Sequence, residues 1–293
     1  MSVATEEEIA GRPIAVIGSG TLGRRIALMA STRGGEVCLF DPHQRPLEVG
    51  LTYVTETLPA VVASIPGATA GRVRGETDLA TAVRNAWLVV EAVSEQLNLK
   101  RIVFGELDSF APKDAILATN SSSYPSSQLI DKVARPERVL NMHCYMPPEM
   151  PMVELMSCGK TDPAVIDFLM ERLPLYGLVP FRVQRESVGF IFNRIWAAIK
   201  RESLSVVEEG VATPEDVDRM WNLFTENMSG PFRLMDKVGL DIVLAIEQHY
   251  AAVRKDVPEG PRKLLQRYVD GGSLGVKSGR GFYDDYSGEQ SAD

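Results

Sequence analysis

Residues 12–41 read RPIAVIGSGTLGRRIALMASTRGGEVCLFD, and this stretch decides the fold. Ile14-Ala15-Val16-Ile17 is an apolar run of the kind that forms a fully buried strand. It leads straight into Gly18-Ser19-Gly20-Thr21-Leu22-Gly23, then into a helical pattern with Ile26, Ala27 and Ala30 on one side. A second apolar run, Val37-Cys38-Leu39-Phe40, ends at Asp41. Strand, G-x-G-x-x-G, helix, strand and acid, in that order, form the dinucleotide-binding pattern. Gly18 permits the tight turn, Gly20 lets the backbone approach a pyrophosphate, and Gly23 lets helix and strand pack closely. The helix start offers free N–H groups to the phosphates, so Gly18, Gly20, Thr21, Leu22 and Gly23 are the expected cofactor contacts. Asp41 stands 21 residues after Gly20. A carboxylate there holds the hydroxyls of the adenosine ribose and repels a 2′-phosphate. The expected cofactor is therefore NAD rather than NADP, with Arg45 the nearby cation that argues the other way.

Outward from this unit, strand and helix alternate through the first half of the chain. Ala86 to Val93 is an apolar strand ending at Glu91 or beyond, followed by a helical run from Asn98 to Phe110. Ala115 to Ala118 is another strand, ending at Thr119-Asn120. Residues 136–140 lead into a further strand whose end carries Asn141, Met142 and His143. Repeated β-α-β units imply a parallel, doubly wound Rossmann sheet, in which ligands bind beyond the carboxyl ends of the strands. Glu91, Asn120 and His143 all fall at such ends.

From Val188 the pattern turns helical. Phe190, Asn193, Arg194, Ala197 and Lys200/Arg201 recur at helical spacing on one face. Thr213-Pro214-Glu215-Asp216 reads as an N-cap, a proline in the first turn and two acids. Asp241 to Val253 reads as another helix. The domain boundary is expected near 184–187, giving a Rossmann domain over 1–185 and an all-helical domain over 186–293. The last ten residues, 284–293, are polar and expected to fray.

Composition narrows the classes. The 293 residues are 45% hydrophobic and 24% charged, as in ordinary globular proteins. Net charge is −8 with no basic block, which argues against nucleic acid as a partner. The most apolar long stretch, 188–207, carries Asn193, Arg194, Lys200, Arg201 and Glu202, so no membrane span is expected. Residues 1–12 are acidic and lack the apolar core of a secretory signal. Three separated cysteines, Cys38, Cys144 and Cys158, suggest neither a disulfide framework nor a metal site. Asn120-Ser121-Ser122 and Asn227-Met228-Ser229 match the glycosylation sequon but are read as unmodified. A cytoplasmic location follows as the expectation.

Further landmarks come in a fixed order: Asn120-Ser121-Ser122-Ser123; His143 with Pro147-Pro148 and Glu154; Gly189-Phe190-Ile191-Phe192-Asn193-Arg194; Gly230-Pro231-Phe232; Val238-Gly239-Leu240-Asp241; and Lys277-Ser278-Gly279-Arg280-Gly281-Phe282-Tyr283. Together they resemble the L-3-hydroxyacyl-CoA dehydrogenase family, including its lambda-crystallin/L-gulonate dehydrogenase branch, from about Pro13 to Tyr283. The resemblance implies reversible hydride transfer between NAD and a secondary alcohol, as in fatty acid metabolism. It implies His143 as the base, a role suited to imidazole near neutral pH. It implies Glu154 as the acid that holds the ring, and Ser122 and Asn193 as hydrogen-bond donors to the reacting oxygen. Asn120, Glu95 and Lys100 match positions lining the cofactor cleft. A homodimer built through the helical domain is implied as well. Each residue also has a purely structural reading: a strand-end histidine, a surface carboxylate, a loop serine, a polar helix asparagine.

Three departures bear on the substrate. Cys144-Tyr145-Met146-Pro147 follows His143 where the family has aromatic residues and Asn-Pro, and the His143–Glu154 spacing is one residue shorter. Residues 51–78 carry only Arg72 and Arg74 as cations, few for the phosphates of CoA. Lys200 and Arg201 stand about two turns after Asn193, where one of them could pair with a substrate carboxylate or, on a solvated face, with Glu202 or Glu208. The leading expectation is an NAD-dependent 3-hydroxyacyl-CoA dehydrogenase. The alternatives are a dehydrogenase of a free 3-hydroxy acid such as a sugar acid, and a non-catalytic NAD(H)-binding protein.

Overall fold

The run Ile14–Ile17 forms β1, buried along its whole length. The reason lies in the two-residue period of a strand. Ile14 and Val16 enter one hydrophobic cluster; Ala15 and Ile17 enter the cluster on the opposite face of the sheet. The neighbouring strands divide likewise, Val37 and Leu39 to one side, Cys38 and Phe40 to the other. A sheet covered on both faces requires continuous apolar runs. In this computed structural model, residues 6–226 and 229–286 are described. Expectations touching residues 1–5, Asn227 and Met228 of the second sequon, and residues 287–293 lie outside them.

The elements of the first part are α1 (Glu6–Ile9), β1 (Ile14–Ile17), α2 (Thr21–Ala30), β2 (Glu36–Phe40), α3 (Gln44–Ser64), β3 (Arg72–Glu76), α4 (Leu79–Val83), β4 (Leu88–Glu91), α5 (Leu97–Phe110), β5 (Ile116–Thr119), β6 (Val139–Met146), β7 (Met150–Ser157), α6 (Pro163–Arg172) and β8 (Val179–Val183). The sheet order is β3-β2-β1-β4-β5-β6-β7-β8. The first six strands run parallel in the doubly wound order expected of a Rossmann sheet. Residues 147–183, unassigned from sequence, extend it: β7 turns back antiparallel to β6, and β8 runs parallel to β7.

That hairpin corrects one expectation. The strand carrying Asn141 and His143 does not stop there. Its pairing with β5 ends at Asn141, whereas its pairing with β7 on the other edge runs from Leu140 through Met146. His143 thus stands beyond the carboxyl end of β5 while still held in a ladder.

The chain divides into two compact units, Met1–Ile191 and Phe192–Asp293. Residues 187–191 belong with the sheet because Ser187 N donates to Met156 Sδ and Ile191 N to Glu154 Oε1. The second unit contains α7 (Phe192–Glu208), α8 (Pro214–Thr225), α9 (Pro231–Val238), α10 (Leu240–Val253) and α11 (Gly260–Asp270). Its core gathers Leu204, Phe232, Met235, Leu240, Val243, Leu264, Leu265 and Phe282. Thr213 caps α8 as expected, its hydroxyl accepting from Asp216 N. Residues 284–286 are not frayed: Asp285 pairs with Arg233, and the Tyr286 hydroxyl donates to Asp236. Asp236 also accepts from the amides of Phe282 and Tyr283, so the 277–283 segment carries structure. No helix among the described residues is long and apolar enough to cross a membrane.

Candidate active site

The glycine loop is shaped as its sequence requires. Gly18 has φ +105°, and a Cβ there would lie 2.7 Å from Ala92 O. A Cβ on Gly23 would fall 1.8 Å from Gly18 O. On Gly20 it would meet nothing within 4 Å, so the backbone there faces open space. Gly20 is also the N-cap of α2 and supplies no side-chain cap. Thr21 is exposed, whereas the Leu22 side chain packs on the core, leaving its amide as the part available to a ligand. Asp41, at the end of β2, accepts from Ser19 N at 3.1 Å, Ser19 Oγ at 2.8 Å and His43 N at 3.0 Å. An open, uncapped helix start with a fixed acid at the next strand end fits a dinucleotide.

A buried ion pair braces the next strand ends. Glu91, fully buried at the end of β4, lies 2.8 Å from Lys100 Nζ and accepts from Thr119 Oγ1 at 2.7 Å. Lys100 also reaches Glu95 at 3.0 Å and Val93 O at 3.2 Å, which accounts for its three donors. Its side chain is 1% exposed, so its ammonium is committed to the protein. Glu95 in turn accepts from Ser121 Oγ at 2.5 Å and Ser123 N at 3.0 Å, clamping the residues on either side of Ser122. Burial acts to raise the Glu95 carboxyl, but Lys100 and these hydrogen bonds outweigh it and hold the group below its ordinary range. Ser122 itself is exposed, and its hydroxyl has no partner among the described residues. Asn120 Oδ1 accepts from Cys144 N at 2.8 Å, tying the β5 end to β6.

His143 is 5% exposed and Glu154 2%, and they are direct register partners in the β6–β7 pair. Nδ1 of His143 lies 3.2 Å from Glu154 Oε2. The same oxygen accepts from the Tyr145 hydroxyl at 2.7 Å, while Oε1 accepts from Ile191 N at 2.8 Å. The surface-carboxylate reading of Glu154 therefore fails. Phe190 does not share the helical face assigned to it. It precedes α7, at φ +53° beside Gly189 at φ +81°, and its ring stacks on His143 at 4.8 Å. Three participants escaped the sequence reading: Tyr145, Phe190 and Asn141. Asn141 accepts from Ser126 N and donates to Tyr124 O, fixing the loop after Ser122. The two-residue period placing 141, 143 and 145 on one strand face is the signal that could have found two of them.

In the second unit, Asn193 is half-buried in the first turn of α7. Lys200 and Arg201 are not on a solvated face, and neither Glu202 nor Glu208 is Arg201's partner. Arg201 makes a two-pronged pair with Glu247 of α10, at 2.8 and 3.3 Å, and Glu247 is fully buried. Lys200 is 4% exposed and makes no ion pair among the described residues. Burial lowers its pKa, against the attraction of Glu247.

Residues 13–187 match the model of the 3-hydroxyacyl-CoA dehydrogenase NAD binding domain, and residues 189–285 match that of the C-terminal domain. The chain belongs to the 3-hydroxyacyl-CoA dehydrogenase family. It is an NAD-dependent oxidoreductase of that type, which sets aside the non-catalytic alternative. A 3-hydroxybutyryl-CoA dehydrogenase of Clostridioides difficile is 33% identical over 277 residues, 92% of this chain and 98% of its own length. A 5-formyl-3-hydroxy-2-methylpyridine 4-carboxylate 5-dehydrogenase of Mesorhizobium japonicum is 32% identical over 279 residues, covering 93% and 90%. The crystal structure of FadB2 from M. tuberculosis superposes with a TM-score of 0.82 at 33% identity, covering 93% of this chain and 98% of that one.

Proposed function

We propose that the protein interconverts a 3-hydroxyacyl-CoA and the 3-oxo thioester, with His143 as the proton-transfer group. The observation that carries this reading is the buried His143–Glu154 pair beyond the end of β5. Glu154 engages Nδ1, which leaves Nε2 to take the hydroxyl proton in oxidation and return it in reduction. The ionised carboxylate stabilises the imidazolium so formed. Ser122, presented by the Glu95 clamp, donates to the reacting oxygen and stabilises charge on it. NAD, when bound, supplies the hydride acceptor. Gly18, Gly20, Thr21, Leu22 and Gly23 would hold its diphosphate and Asp41 its ribose, with Asn120 and Glu95 lining the same cleft. Lys100 then acts from below, through Glu91 and Glu95.

The unit from about residue 186 is assigned to substrate binding and dimerisation. Met220, Leu223 and Phe224 of α8 are 73%, 75% and 91% exposed, an apolar surface that supports a homodimer. Three buried free cysteines suit the reducing cytoplasm.

A second reading, dehydrogenation of a free 3-hydroxy acid, is supported by the scarcity of cations for CoA. Arg45 is the single basic residue of α3, and Arg74 is held by Glu36 at 2.9 Å. The deciding measurement is NADH consumption with acetoacetyl-CoA against free 3-oxo acids, repeated with His143→Ala. Fast, His143-dependent turnover of the thioester is expected. Turnover of free acids alone would replace the first reading with the second.

A further inference from the structure

Two donors compete for one carboxylate oxygen beside the histidine. Glu154 Oε2 receives the Tyr145 hydroxyl at 2.7 Å and faces His143 Nδ1 at 3.2 Å. The tyrosine bond is the shorter of the two, although the histidine is the register partner. Tyr145 is placed to do this because residues two apart on a strand share a face. Its ring lies 4.6 Å from the imidazole, tilted by 58°. Glu154 sits in a site where water does not level such differences, at 2% exposure.

A hydrogen bond to a carboxylate draws negative charge toward the donor. Charge drawn by Tyr145 no longer stabilises a proton on the imidazole. Among the described residues of the first unit, Glu154 from β7 and Tyr145 from β6 are titratable groups in contact with the ring. The 187–191 segment contributes the apolar ring of Phe190, and the end of β5 contributes the neutral Asn120, bonded to the adjacent Cys144 amide.

We propose that Tyr145 is a positioning residue that sets the base strength of His143 by sharing Glu154 Oε2 with it. This rests on His143 being the base, as proposed above, but makes a claim that can be read without turnover.

The test follows the ring resonances of His143 against pH in the isotopically labelled full chain. They are assigned by difference from His143→Ala, since the chain has 3 histidines. In Tyr145→Phe the titration midpoint should rise by roughly half a pH unit or more. The acid limb of kcat/KM for alcohol oxidation should move the same way by the same amount. Tyr145→Met, which also lacks the hydroxyl, should reproduce the direction and serves if the Phe variant does not fold. In a Glu154→Gln background, removing the hydroxyl should move the midpoint little. An unmoved or lowered midpoint in a folded Tyr145 variant overturns the proposal, as does an undiminished shift in the Glu154→Gln background. If the midpoint rises while no substrate is turned over, the coupling stands and the assigned function fails.

Discussion

His143 and Glu154 face each other as direct partners in the antiparallel β6–β7 pair, so a strand ladder sets the 3.2 Å approach of Nδ1 to Oε2. The shortened spacing between them, eleven residues, is the length this hairpin needs to bring the two into register. Proton transfer by a positioned side chain contributes roughly a hundred- to ten-thousand-fold. His143→Ala should lose a factor in that range in kcat with NADH affinity retained. Glu154→Gln keeps the shape but removes the charge, and should lower kcat more than it raises KM. Equal kcat in wild type and Glu154→Gln would show that the carboxylate has no part in catalysis.

Glu95 ties together two loops, and its ionisation is coupled to stability. Its folded-state pKa lies below the ordinary value of 4.5, since Lys100, Ser121 and Ser123 favour the charged form despite burial. A depressed carboxylate contributes stability above its unfolded value and loses it as pH falls through the folded one. Wild type should therefore exceed Glu95→Gln in Tm at neutral pH, and the gap should close as pH falls from about 4.5. A gap that stays constant from neutral to acid pH would mean that the clamp does not depend on charge.

The Rossmann half was legible because its signal is local. Apolar strands buried on both faces, a glycine at 23 required by the close approach of Gly18 O, and an acid at the next strand end all lie within thirty or so residues of sequence. His143, Ser122 and Asn193 came from ordered landmarks, and the His143–Glu154 contact is as the resemblance implies. What stayed hidden depends on pairings distant in sequence. Residues 147–183 mix prolines and apolar runs without a clear period, so β7 and β8 had no local mark. Phe190 fitted a helical spacing, yet the left-handed pair at 189–190 breaks the chain before α7 begins. Arg201 looked solvated because its partner, Glu247, lies 46 residues away on α10.

That pairing changes what an Arg201 variant reports. Removing one partner of a buried ion pair costs roughly 3–5 kcal/mol, because the other charge is left uncompensated. Arg201→Leu should destabilise the protein by about this amount whatever the substrate, as Glu247 is fully buried. Lys200→Met should be neutral or stabilising, since it removes an ammonium that burial already disfavours. Urea unfolding of both variants checks the pair. A stable Arg201→Leu would show that Glu247 is not held by this bridge, and only then would a KM effect at Arg201 speak to a substrate carboxylate.

The glycines of the loop separate fold from binding. At Gly23 an added methyl would lie 1.8 Å from Gly18 O, so α2 has to move off β1. Gly23→Ala should cost roughly 1–3 kcal/mol, the usual range for overpacking, and lower Tm. At Gly20 the backbone is in an ordinary region, φ −61°, and an added methyl meets no protein atom within 4 Å. Gly20→Ala should therefore fold like wild type, and what it obstructs is the close approach of a diphosphate to the start of α2. Its NADH dissociation constant should rise about tenfold or more, a loss of about 1.4 kcal/mol or more. Fluorescence titration with NADH, run beside thermal melts of both variants, distinguishes the two roles. Wild-type affinity in Gly20→Ala would mean that the open backbone is not where the cofactor's phosphates lie, and the cleft would have to be sought elsewhere along the strand ends.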